Sequence, residues 1–207
     1  MMAAKRWIVP VLAMAAGGIL SWLLIFGRES ALAPAGPASP VAMRVDPQNQ
    51  PRATADRALV ALRARDGASL AAIVHPDGVR FSPSAFVDTD ADQRLSPKEV
   101  AGLWTEKTSR VWGVAEASGE PINLTAAAYV DRYVLNHDYV AAEVSVNGDT
   151  SRGTTVDNAA SVYPGGVRVE YFRAGTDATD WSALRLVLLP DDGKWWLAGI
   201  IHDEWTP

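Results

Sequence analysis

Apolar residues fall along this chain in three rhythms. The first is unbroken: residues 7–26 form a 20-residue run with no charged side chain, and about 20 helical residues span a bilayer core. Trp7 and Trp22 stand near its ends, where amphipathic rings favour the interface. The second rhythm is helical. Ala55, Leu59 and Leu62 make a stripe within 54–62, and Leu70, Ile73 and Val74 make another within 68–74. Ser96-Pro97-Lys98-Glu99 predicts a helix start: a capping serine, a proline in the first turn and a glutamate completing a capping box. That helix is expected to run to about Trp104 or Lys107. Residues 125–135 predict a further helix with Tyr129, Val130, Tyr133 and Val134 on its apolar side. The third rhythm alternates. Strands are expected at 79–87, broken or bent at Pro83, at 139–146 before the turn Asn147-Gly148, and at 167–172. Residues 184–189 and 194–202 flank Asp191-Asp192-Gly193 and predict a hairpin.

Helices, strand material, more helices and then an antiparallel sheet form a segregated order, which argues an α+β fold rather than repeated βαβ units. The expected organisation is a transmembrane anchor at 1–27, a Pro/Ala-rich linker at 28–51 and an extracytoplasmic α+β domain at 52–207. In that domain helices pack on a curved antiparallel sheet.

Charge orients the anchor. Lys5 and Arg6 precede the apolar run, so the N-terminus should stay cytoplasmic and the remainder should be exported. The alternative is a signal peptide cleaved near Ala31-Leu32-Ala33 or Ala33-Pro34-Ala35, which would release the domain. Signal cores usually span about 7–15 residues, and this run is longer. The chain carries net charge −5. With Lys5 and Arg6 set aside, 17 basic residues face 24 acidic ones, so the rest carries −7. That balance provides no footprint for nucleic acid. The chain has no cysteine, which excludes disulfides, zinc–thiolate sites, cysteine nucleophiles and a lipid-modified cysteine anchor.

Candidate chemistry is sparse. Asp88, Asp90, Asp92, Arg94 (through its carbonyl), Ser96 and Glu99 occupy positions 1, 3, 5, 7, 9 and 12 of an EF-hand-type calcium loop. Gln93 stands at position 6, where glycine normally makes the sharp turn. A solvated acidic loop leading into a capped helix explains the same residues. His202, with Asp203 and Glu204 after it, and His75-Pro76-Asp77 are the acid–base candidates; Asp180 and Tyr171 are possible partners of His202. Pairing Pro190 with Lys194 would put His202 on one face with Trp196, Ala198, Ile200, Leu184 and Leu186, and a one-residue slip would reverse the set. Tyr171, Arg185 and Trp196 could line a pocket, and an inward Arg185 would need a carboxylate such as Asp180 or Glu170. Trp181, Trp195, Trp196 and Trp205 cluster near the C-terminus, as core or as a partner surface.

Two resemblances follow from particular stretches. Residues 61–79, Ala-Leu-Arg-Ala-Arg-Asp-Gly-Ala-Ser-Leu-Ala-Ala-Ile-Val-His-Pro-Asp-Gly-Val, and the closing Asp-Gly-Lys-Trp-Trp-Leu-Ala-Gly-Ile-Ile-His at 192–202 resemble nuclear-transport-factor-2-like (SnoaL-like) domains. That resemblance implies a cone of curved sheet around helices, often with a pocket. A second set is His75-Pro76 with 78–83, 118–122 with Leu124-Thr125, Val169-Glu170-Tyr171, Asp180-Trp181 and 200–206. It resembles a group of bacterial extracytoplasmic proteins, often lipoproteins, of uncharacterised function. It implies export and a shared fold, and it carries over no catalytic residue. The expected function is a membrane-anchored module that binds a small ligand or another envelope protein. The alternatives are an enzyme with an acid–base pocket at His202 and a calcium-binding structural module through 88–99.

Overall fold

A computed structural model describes residues 50–148 and 152–206. The anchor expected at 7–26 lies outside them; among the described residues no helix is long and apolar enough to cross a membrane.

Helix α1 (Pro51–Arg63) begins on a proline, whose missing N–H costs nothing in a first turn. Its buried stripe comprises Thr54, Ala55, Ala58, Leu59, Ala61 and Leu62, wider than the three residues expected. The alanines let the helix lie close on the sheet, and removing Leu59 or Leu62 from water contributes about 1.5–3 kcal/mol each. Arg65 turns the chain with φ 54°, and Asp66 caps α2 (Gly67–Ala71) by accepting from the Ser69 N–H at 3.0 Å. A Cβ on Gly67 would sit 2.4 Å from the Ala101 carbonyl oxygen, so only glycine allows the close approach of these two segments.

Strand β1 (Val79–Ser82) stops at Pro83, which has no N–H to extend a ladder. Strand β2 (Gln93–Leu95) leads into α3 (Pro97–Ala101), whose capping box forms as expected. Glu99 Oε2 accepts from the Ser96 N–H at 2.9 Å, and Ser96 Oγ accepts from the Glu99 N–H at 3.3 Å. The helix ends at Gly102, short of the Trp104 expected.

A hairpin of β3 (Arg110–Val114) and β4 (Pro121–Leu124) follows. The hydrophobic pattern did not announce it, because so short a pair buries only Trp112 and Ile122 deeply among its apolar side chains. Helix α4 (Ala126–Tyr129) is capped by Thr125 and passes directly into a π-helical turn, Val130–Val134. The remaining elements are β5 (Glu143–Val146), α5 (Ala159–Val162), β6 (Val167–Arg173), β7 (Ser182–Asp191) and β8 (Lys194–Glu204). Asp192 (φ 46°) and Gly193 (φ 69°) close the last hairpin in two residues, both left-handed, as its twist requires.

The six-stranded sheet has the order β2-β1-β8-β7-β6-β5, with β3–β4 forming a separate pair. The sheet is mixed, not wholly antiparallel as expected: β1 runs parallel to β8, with Arg80 opposite Gly199. Alternation identifies a strand but says nothing of its neighbour's direction.

Successive strand residues face opposite ways, so the sheet has two interiors. On the helix face, Val169, Tyr171, Leu184, Leu186 and Ile200 pack with α1 and Tyr129. On the second face, Val187, Ala198 and Ile201 pack beneath Val87, Ala159 and Tyr163. The β7–β8 register corrects the sequence expectation. Leu184 opposes His202, Leu186 opposes Ile200 and Val187 opposes Gly199, but Leu188 opposes Leu197. Ala198 is therefore an extra, bulged residue. Beyond it the faces exchange, which removes Ala198 and Trp196 from the face of His202.

Candidate functional site

The proposed pocket residues Tyr171, Arg185 and Trp196 do not converge. Tyr171 lies on the helix face, where its hydroxyl donates to Asp56 Oδ1 of α1 at 2.7 Å. Burial first, and then the Asp56 hydrogen bond, push that hydroxyl's pKa upward. Arg185 faces the other way. Trp196 lies near the hairpin turn, donating to the Asp191 carbonyl at 3.1 Å with Lys194 above its ring.

Arg185 is wholly buried and held between carboxylates. Its Nε donates to Glu170 Oε2 at 2.8 Å, its Nη2 pairs with Asp203, and Asp157 lies 3.8 Å from Nη1. Arg152 pairs with the other oxygen of Glu170, and Arg168 pairs with Asp157 at 2.8 Å. Three arginines thus meet three carboxylates. Glu170 is the partner that the sequence nominated, whereas Asp180 pairs with Arg173 at the end of β6. That guanidinium holds Asp180 below the usual carboxylate range.

The calcium-ligand set 88–99 is also dispersed. Asp88 Oδ1 accepts from the N–H groups of Asp90 and Ala91, which makes a local turn. Asp92 points inward and accepts from the Asp88 N–H at 3.0 Å. Arg94 sits in β2 opposite Arg80, while Ser96 and Glu99 are committed to the helix cap. Strand β2 (Gln93–Leu95) occupies positions 6–8 of the loop. Among the described residues no group of three or more His, Asp or Glu is placed to hold a metal ion.

The acid–base candidates separate too. His75 Nδ1 accepts from the Asp77 N–H, and its backbone bonds to Leu197. Leu197 is five residues from His202 along β8, roughly 16 Å at strand rise. Tyr171 shares the face of His202, but Leu184 stands between them in register.

His202 itself is different. It is 2% exposed; Nδ1 has no hydrogen-bond partner among the described residues, and Nε2 has only the Glu204 carboxylate, 3.4 Å away. Leaving a buried polar group unsatisfied costs about 1–3 kcal/mol, so its position calls for an explanation. His202 lines a cavity of about 100 Å³ together with Tyr133, Arg132, Glu204, Glu116 and Ser84. That volume holds roughly three waters.

Each wall has a local cause. His202 and Glu204 are alternate residues of β8 and so point to one side. Glu204 Oε2 lies 3.4 Å from His202 Nε2 and accepts from Asn136 Nδ2 at 3.2 Å. The imidazole beside it, then the Arg132 guanidinium, hold Glu204 below the usual carboxylate range against the burial that raises it. Arg132 and Tyr133 come from the π turn. Such turns frequently occur at functional sites, because the widened ladder re-aims side chains. Tyr133 presents its ring to the His202 ring, centroids 5.8 Å apart and nearly perpendicular. Glu116, from the β3–β4 turn, has its pKa raised by burial and by nearby Asp203.

Behind Tyr133 runs an aromatic column that fixes it. Tyr133 stacks on Tyr129 at 5.1 Å, Tyr129 on Trp112 at 4.2 Å, and Phe81 meets Trp112 edge-on at 5.5 Å. Asp92 closes this side, and burial drives its pKa up to about 6. Gly113 (φ 128°) lets β3 approach Asp92: a Cβ there would lie 3.0 Å from its Oδ1.

His202 and Glu204 were candidates on sequence alone; Arg132 and Glu116 were not, and Tyr133 was expected only in an apolar stripe. For Glu204 the signal was its place two residues after His202 in one strand.

The described residues thus form an α+β domain with a small pocket, lined by polar and apolar side chains, between a π turn and the end of a mixed sheet. No protein-family model matches it, and no curated protein matches it in sequence. Solved structures similar to it include a domain of unknown function with a cystatin-like fold from Nostoc punctiforme, at 13% identity over 75% of each chain and TM-score 0.36. Aln2 from a Streptomyces species is 13% identical, with 73% of this chain and 85% of that one covered and TM-score 0.32. A chain designated Rd1NTF2_05, carrying substitutions, is 14% identical, with 76% and 99% covered and TM-score 0.31.

Proposed function

We propose that this is a small-ligand-binding module with an NTF2-like cone, held at the outer face of a membrane by residues 7–26. The observation that carries the binding role is His202: a buried imidazole, with Nδ1 unpartnered and Nε2 against Glu204 alone, that opens on a walled pocket. An imidazole offers one donor and one acceptor, or two donors, and a bound polar group would satisfy what the fold leaves unsatisfied. The cone reading is supported by the entry helices α1 and α2, the long final hairpin, and a pocket between helix and sheet. At about 100 Å³ the pocket accepts a very small molecule, or the end group of a larger one; drug-sized ligands need about 300–1,000 Å³.

The test is a nuclear magnetic resonance screen of small polar fragments on the full chain in detergent micelles. Binders should shift the ring signals of His202 and of Tyr133 beside it, and the Tyr133 shifts should be lost in His202→Ala. Fragments that bind equally to wild type and His202→Ala would remove the pocket from the account. The rival, acid–base catalysis, draws on Glu204 lying beside His202. It requires turnover, not occupancy, that disappears in His202→Ala.

The anchored location rests on the length of the apolar run and on Lys5 and Arg6 before it. The full chain should stay with the membrane pellet after an alkaline carbonate wash. A soluble form with its N-terminus at Gly36 would replace the tether with secretion after signal cleavage.

A further inference from the structure

The pocket's charge and its own occupant point to the chemistry of the ligand. Its ionisable walls are two carboxylates, Glu116 and Glu204, against one guanidinium, Arg132, with His202 between them. Arg132 does not reach out as a free cation. Its guanidinium lies over the Tyr133 ring at 5.1 Å and beside Glu204 Oε1 at 3.5 Å. A positive group over an aromatic face with a carboxylate at its edge is how proteins hold organic cations. Here the chain supplies that cation itself, from a side chain 57% exposed. Beside the same Tyr133 ring stands His202, 2% exposed, with Nε2 against Glu204 and Nδ1 unpartnered, so that Nδ1 can accept an N–H from a ligand in the pocket. An anionic ligand would meet Glu204 and Glu116 instead.

We infer that the corner between Tyr133, Glu204 and His202 is a subsite for a small organic cation, a guanidinium or primary ammonium group, which Arg132 occupies until a ligand displaces it. This rests on the reading of the pocket as a binding site and names its ligand class.

The experiment compares methylguanidinium, methylammonium, acetamide and acetate as probes of the full chain by the same ring-signal titration, with wild type, Arg132→Ala, Glu204→Gln and His202→Ala. The inference expects the two cations to bind and acetate not to. Arg132→Ala should bind methylguanidinium about tenfold more tightly, because it removes the internal competitor over the ring. Glu204→Gln should lose most of that binding. If acetate or acetamide binds instead, and Arg132→Ala abolishes it, the pocket stands and the cation assignment falls. If no probe moves the His202 signals in wild type or in Arg132→Ala, the binding reading falls with it. Thermal melts of each variant, taken in parallel, separate lost binding from lost folding.

Discussion

Asp203 and His202 are chain neighbours on β8, and the pleat sends them to opposite sides of the sheet. Each ends in a buried polar cluster, and the two clusters are built on different terms. Around Asp203, every charge the fold buries meets an opposite charge: Arg185 between Glu170 and Asp203, with Arg152 and Arg168 closing the ring. Around His202, the fold buries an imidazole whose Nε2 meets only Glu204, and it leaves Nδ1 unmatched beside a cavity. The first cluster is complete and serves the architecture. The second is incomplete in the way a binding site is, since a group that spends its hydrogen bonds within the fold has none left for a ligand.

The strongest way to break this comparison is to open the completed cluster. Arg185→Met should destabilise the domain by about 3–5 kcal/mol, because it leaves Glu170 and Asp203 buried without their cation. Urea denaturation would read the loss. A change under about 1 kcal/mol would mean the cluster is not structural.

Asp92 comes next, with a pH signature. Its folded pKa of about 6 lies above the usual carboxylate value of 3.8. Between these values the folded state binds more protons than the unfolded one, so this group's contribution to stability falls as pH rises from about 4 to 6. Asp92→Asn should therefore gain up to about 3 kcal/mol over wild type above pH 6, and nothing near pH 3.5. Paired melts at the two pH values check it, and a pH-independent difference would remove the ionisation argument. Tyr171→Phe should cost about 1 kcal/mol, the net value of one hydrogen bond to a charged, partly exposed acceptor. A loss above 3 kcal/mol would mark Tyr171 as part of a polar network rather than a tether to α1.

How much of this could be read from the sequence follows the physics of each feature. The cap at Ser96, the Asp192-Gly193 turn and the stripe of α1 were legible because they depend on residues within one or two turns of each other. The parallel β1–β8 pair and the bulge at Ala198 were not, because both are set by partners far away in the chain. That single bulge separated Trp196 from His202. The π turn was invisible for another reason: the apolar stripe Tyr129, Val130, Tyr133, Val134 fits an α-helix equally well, and only the ladder shows where Arg132 and Tyr133 are sent. The EF-hand spacing was ambiguous because Ser96 and Glu99 suit a helix cap and a calcium loop with the same letters, and in the fold they form the cap. Arg185 could be recognised as needing a carboxylate, but not which face it took, since that turns on the register of one hairpin.

The central claim is that His202 is buried for a ligand and not for the fold, and urea denaturation of His202→Met tests it most directly. Methionine fills the space without burying an unmatched nitrogen, so the account predicts stability equal to wild type or higher by about 1 kcal/mol. A loss of about 2 kcal/mol or more would show that the imidazole holds the fold together, and the contrast between the two clusters would disappear.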